Sequence, residues 1–172
     1  GFGEEVRNGQ RHIWRWRDWI IDSLNADKPY DRMVQEMLAG DEIAPNDPKT
    51  VAATGFIVRN WYKFNRNEGM DKLIEGTSKA FLGVTLNCSR CHDHKYDPVT
   101  QKEYYAFRAF FEPHDIRQDR VPGQADLVKD GLSRAFDSNP KAETFLFNRG
   151  DGRRPDKSAP LAPAVPAVFG GP

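Results

Sequence analysis

The sequence predicts a mostly α-helical chain: one small helical domain followed by a long irregular, proline-rich C-terminal extension. Three observations predict it. Apolar residues recur at helical spacing in several stretches between residues 12 and 111. Both cysteines of the 172-residue chain fall in one short string, Cys88-x-x-Cys91-His92, set among these stretches. From Gly150 onward, Pro155, Pro160, Pro163, Pro166 and Pro172 alternate with alanines, a composition that suits an extended tail or linker rather than a second core.

In chain order, Gly1 to Gln10 reads as an irregular lead-in. His12 to Leu24 reads as a helix, with Ile13, Trp16, Ile20 and Leu24 on one stripe. A second helix starts near Pro29 and Asp31 and carries Tyr30, Val34, Met37 and Leu38 on its apolar face, with Gly40 at a left-handed C-terminal cap. The short turn between them makes the pair a candidate αα-hairpin. Asp41 to Pro48 is a loop, and Lys49 to Val58 a short buried helix. Arg59 to Gly69 mixes Trp61, Tyr62 and Phe64 with cations, a stretch suited to covering a core or draping a flat cofactor.

Met70 to Leu86 has the strongest helical stripe and runs into Cys88. Gly76 and Gly83 weaken it by about 1 kcal/mol each in an exposed interior and fit where a neighbour approaches closely. Thr100 and Glu103 match a capping box that opens a helix over residues 101–111, ended by Pro113. Asp126 to Phe136 reads as a short helix and Thr144 to Phe147 as a short strand.

Lys plus Arg and Asp plus Glu number 25 each, so global charge points to neither nucleic acid nor an anionic membrane. No apolar run approaches the ~18–20 residues of a membrane helix.

The chemistry concentrates in Cys88, Cys91 and His92. C-x-x-C-H is the attachment signature of a c-type haem. Two thiols about one helical turn apart can add to the two vinyl groups of one porphyrin, and the next imidazole can ligate the iron as proximal ligand. A tetrahedral zinc site is the main rival, but it needs two further ligands and no second cysteine pair exists. A redox dithiol is third. His94 lies too close to His92 to reach the opposite face of the same ring; it would orient a propionate, bind another metal or serve the local fold. His114, Met70 and His12, at expected element ends, are the distal-ligand candidates, while Met33 and Met37 read as core. A five-coordinate iron is the alternative.

Several separate strings resemble one family. They are Trp14-Arg15-Trp16-Arg17-Asp18-Trp19, Lys28-Pro29-Tyr30-Asp31, Leu38-Ala39-Gly40-Asp41, Ala53-Thr54-Gly55-Phe56, and the long run from Thr77 through Pro98, continued by Tyr104-Tyr105 and Phe110-Phe111-Glu112-Pro113. Over residues 11–123 they resemble the planctomycete cytochrome-C-like domain, a domain of unknown function with a C-x-x-C-H haem motif. Phe145 to Gly150 and Arg153-Arg154-Pro155 resemble the junction to the downstream domain of unknown function that commonly follows. The resemblance implies haem c at Cys88, Cys91 and His92, a large exported parent protein, and no particular reaction or distal ligand.

The expectation is a small helical c-type cytochrome-like domain over residues 1–123, with 124–172 an extension or linker toward a downstream domain. The chain is read as a piece of a longer, extracytoplasmic (periplasmic or exported) protein. Its expected role is electron transfer with redox partners or other subunits. A haem-dependent oxidoreductase, acting for instance on a polysaccharide-derived substrate, and a structural subunit of an assembly are the alternatives; a zinc-stabilised module ranks last.

Overall fold

The computed structural model describes residues 11–59, 61 and 65–170. The expected lead-in at Gly1 to Gln10 and the aromatic pair Tyr62 and Phe64 lie outside the described residues. The chain divides into two compact units, each built from two separate stretches: residues 1–66 with 115–137, and residues 67–114 with 138–172.

The first unit contains α1 (Trp14–Asn25), α2 (Tyr30–Ile43), α3 (Pro48–Ala52), α4 (Gly55–Val58) and a two-stranded sheet of β1 (His114–Asp119) with β2 (Leu132–Asp137). Trp19, Met33, Met37, Val51, Phe56, Ile57 and Val58 form its core with Leu132 and Ala135. The expected αα-hairpin of α1 and α2 is replaced by a different arrangement: both helices pack chiefly on α3 and α4, which β2 also covers. Gly40 explains part of this. It does not cap α2, which runs on to Ile43 past a kink at Ala39. A Cβ on Gly40 would sit 2.7 Å from the Thr50 carbonyl oxygen, so the glycine admits the backbone of α3. The helix expected over 126–136 is also overturned. Its second half is β2, where Ala135 N–H donates to Thr54 Oγ1 at 3.1 Å and buried Arg134 donates to the Pro45 carbonyl at 2.9 Å. Those long-range partners outweigh local preference.

Glu36 is buried at 3% exposure, with Lys28 Nζ at 2.6 Å and Arg32 Nε at 2.9 Å. Burial pushes its carboxyl up, but the hydrogen bonds and charges of Lys28 and Arg32 outweigh this and hold it below its ordinary value. A depressed folded-state pKa means stability that is complete above the unfolded value, about 4.3, and lost as pH falls through the folded one. Glu36→Gln is therefore expected to lower the unfolding free energy by about 1–2 kcal/mol at pH 7. The gap to the parent chain should close as acid protonates Glu36. Urea titrations at pH 7 and pH 3.5 check this, and a gap independent of pH would refute it.

The second unit contains α5 (Arg66–Thr77), α6 (Gln101–Ala109), β3 (Thr144–Phe147) and β4 (Pro155–Leu161), with short 3-10 turns at Asn87–Arg90, Asn148–Gly150 and Ala167–Phe169. Met70, Leu73, Ile74, Leu86, Val99, Tyr104, Tyr105, Phe107 and Phe111 are its core. β3 and β4 pair antiparallel, with Leu146 opposite Asp156 and Phe147 opposite Pro155. Both strands pack on α6. Prolines at 155 and 160 are tolerated because a two-stranded ribbon is all edge.

The expected mostly α fold with a long irregular extension is thus overturned. Four strands are present among the described residues, and the proline-rich stretch from 155 to 161 is one of them. The reason is tertiary. Alanine and proline give β4 no amphipathic pattern, and its partner β3 supplies the ladder instead. The expected Met70–Leu86 helix is shortened too. The α-helix stops at Thr77, Ser78–Leu82 forms a π turn, and Gly83 ends it at φ +68°. Thr77 Oγ1 donates to the Leu73 carbonyl and Ser78 Oγ to that of Glu75, the local competition by which hydroxyls loosen a helix. Gly83 has open space around a built Cβ, so its left-handed backbone, not close approach, explains it.

The capping box stands as read: Thr100 Oγ1 accepts from Glu103 N–H at 3.2 Å, and Glu103 accepts from Thr100 N–H at 2.7 Å. Thr100→Ala is expected to cost about 1 kcal/mol, seen as a lower urea midpoint at unchanged slope.

Candidate functional site

Cys88 and Cys91 are free and exposed, on the 3-10 turn Asn87–Arg90 and the residue after it. The turn is braced from three directions within the second unit. Ser89, fully buried, donates through Oγ to the Val99 carbonyl at 3.3 Å. The Arg90 carbonyl accepts from Tyr105 Oη at 3.0 Å and from Gln101 Nε2 at 2.9 Å. The Arg90 guanidinium reaches Asp71 at 3.1 Å and the Gly150 carbonyl at 3.1 Å. Tyr104 Oη donates to the other Asp71 oxygen at 2.8 Å. Burial holds the Asp71 carboxyl above its ordinary value, and the Tyr104 hydrogen bond and Arg90 charge only partly offset it. Burial likewise pushes the Tyr105 phenol up to about 12, so it stays a donor to Arg90 at neutral pH.

The two neighbouring histidines differ in chemistry. His92 is exposed, and its Nδ1 lies 2.7 Å from the Asp93 carbonyl oxygen. A carbonyl only accepts, so Nδ1 carries the proton and Nε2 keeps a bare lone pair, the arrangement of a ligating imidazole oriented by its other nitrogen. His94 has the opposite tautomer. Its Nδ1 accepts from Asp97 N–H at 2.8 Å, so Nε2 carries the proton. The Asp97 carboxylate is 3.3 Å from the same nitrogen, but an amide N–H can only donate, and the shorter contact decides. His94, with its side chain 7% exposed, closes the loop that follows the motif, helped by its own N–H to the Val99 carbonyl at 2.8 Å. These bonds serve the local fold, one of the readings open from the sequence. Asp93 Oδ1 accepts from Gln101 N–H at 2.7 Å and ties the same loop to the start of α6.

The distal-ligand candidates are each buried in their own packing. Met70 is 2% exposed in the core of the second unit. His114 is buried, with Nδ1 on the Phe111 carbonyl. His12 belongs to the first unit, where Nε2 meets the Leu127 carbonyl at 2.8 Å. Met33 and Met37 are core residues, as read. Among the described residues no three His, Cys, Asp or Glu side chains are gathered as a metal site. A cavity of about 520 Å3 lies in the first unit, lined by residues including Trp14, Trp19, Asp22, Lys28 and Lys49; no motif residue lines it.

Sequence reasoning missed the bracing residues Asp71, Arg90, Gln101, Tyr105 and Gly150. Only the Gln101 position, just inside a capping box, carried a local signal, and that signal concerned a helix end.

This is a C-x-x-C-H chain of two small α and β units, with the motif on a braced surface turn. It belongs to the PSCyt2 family, described as a protein of unknown function (DUF1549), whose family model matches residues 2–116. Comparison with curated proteins and with solved structures gives no match. No helix among the described residues is long and apolar enough to cross a membrane.

Proposed function

We propose that Cys88, Cys91 and His92 hold a covalently attached haem c and that the chain transfers electrons as a domain of a larger exported redox protein. The observation that carries this is the pairing of two free, exposed thiols with an adjacent imidazole whose Nδ1 is spent on Asp93 and whose Nε2 is bare.

The residues present fit the group. The thiols supply the two thioether sulfurs and His92 the proximal nitrogen. Bound haem c supplies a one-electron Fe(II)/Fe(III) couple. The chain's own contribution is placement. Asp93 sets the imidazole plane, His94 and Asp97 stiffen the following loop, and Arg90, Gln101 and Tyr105 fix the turn between the thiols. The exposure of Cys88, Cys91 and His92 leaves this edge open to a redox partner. A structural zinc needs four ligands, and the sequence offers no second cysteine pair to complete the set. Haem attachment to such thiols also favours an extracytoplasmic location.

The test is expression with export and haem-attachment machinery, followed by a pyridine haemochrome assay and a redox titration. One covalent haem per chain with a reversible one-electron wave is expected. A colourless chain, or one holding stoichiometric zinc on the two thiols, overturns the reading.

A further inference from the structure

The second stretch of the motif's own unit reaches the thiols directly. Gly150 lies at φ +75°, and a Cβ built on it would fall 2.6 Å from Cys91 Sγ and 3.3 Å from the Arg90 carbonyl oxygen. Arg90 donates to the Gly150 carbonyl at 3.1 Å. Gln101 Nε2 spans the gap, donating both to the Arg90 carbonyl at 2.9 Å and to the Phe147 carbonyl at 3.0 Å. The Phe147 ring, in turn, lies 5.0 Å from that of Tyr105. The Cys91 sulfur is therefore backed by the turn that ends at Gly150.

We infer that Gly150 is a positioning residue for the second thioether: the turn Phe147–Gly150 sets where the Cys91 sulfur stands, so that it and Cys88 meet one porphyrin together. This rests on the haem reading for its purpose and on the geometry alone for the contact of Gly150 with the Cys91 sulfur. It also places part of the attachment site beyond residues 2–116, the stretch matched by the family. In each attachment a thiol adds across a vinyl C=C. One C–S and one C–H bond form, the S–H bond and the π bond are lost, and no oxidant is consumed. The step needs sulfur and vinyl carbon in register, and a displaced Cys91 loses that register.

The test compares Gly150→Ala with Gly83→Ala in the full chain. Both put a side chain on a left-handed backbone, but only the first meets a sulfur, because Gly83 has open space. In the reduced, haem-free chain, iodoacetamide labelling read by peptide mass spectrometry gives the Cys91 to Cys88 ratio. Gly150→Ala is expected to raise that ratio about threefold or more as the sulfur is pushed into solvent, and Gly83→Ala to leave it unchanged. After haem loading, Gly150→Ala should be attached largely through Cys88 alone, with the unreacted vinyl moving the haemochrome band to longer wavelength. Should Gly150→Ala not fold, Gln101→Ala, which releases the same turn, is expected to shift the ratio in the same direction. An unchanged ratio in the folded variant, or an equal change in both glycine variants, overturns the inference. A parent chain that takes no haem overturns the haem reading but leaves the labelling ratio to decide on Gly150.

Discussion

Cys88→Ser with Cys91→Ser is expected to abolish covalent haem attachment altogether while leaving the haem-free fold intact, with an unfolding free energy within about 0.5 kcal/mol of the parent. The asymmetry follows from exposure. Neither thiol is in the core, neither is disulfide-bonded, and the turn that carries them is held by Ser89 and the Arg90 backbone rather than by sulfur. Acid–acetone extraction of the loaded chain measures attachment, and urea unfolding of the haem-free chain measures stability. A several-kcal/mol loss of stability would mean that the cysteines serve the fold, and the haem reading would lose its main support.

Arg108→Ala is expected to cost about 3–5 kcal/mol. Arg108 is 2% exposed. Its Nε donates to Glu112 at 2.8 Å, an Nη donates to Asn67 at 2.8 Å, and the guanidinium lies 4.9 Å from the Phe147 ring centre. Truncation removes the Arg108 cation from Glu112, whose side chain is 15% exposed and also accepts from Thr144 Oγ1 at 3.3 Å. It also empties the space beneath Phe147. Arg108→Lys should recover only part of the loss, because an ammonium cannot serve the two directions of a planar fork together. Urea unfolding of the haem-free chains checks both variants. A loss below about 1 kcal/mol for Arg108→Ala would show that water replaces these contacts freely. Because Phe147 opens the turn that ends at Gly150, the same variant should also raise Cys91 labelling.

Where local chemistry sufficed, the sequence was informative. Helical stripes located α1, α2 and α6, the Thr100 and Glu103 pair located a helix start, and residues 144–147 read as the strand that is β3. Where a long-range partner decided the outcome, it was not. β2 and β4 carry no strand pattern strong enough to stand alone; β2 exists because Thr54 and Pro45 meet it, and β4 because β3 does. The reading of Gly40 as a cap failed for a related reason, since its small size serves the approach of Thr50 from another helix.

The candidate site divides in the same way. Spacing alone singled out Cys88, Cys91 and His92, because two thiols and an imidazole within five residues are a local fact. The rest was decided by folding. The carbonyl of Asp93 that orients His92 and the amide of Asp97 that occupies His94 are set by the local loop conformation, and Gly150 meets the Cys91 sulfur only after the chain has turned back on itself. Such partners leave no side-chain pattern in the sequence. Local composition names the reactive groups, the folded loop sets the histidine tautomers, and only tertiary contact brings Gly150 against the Cys91 sulfur.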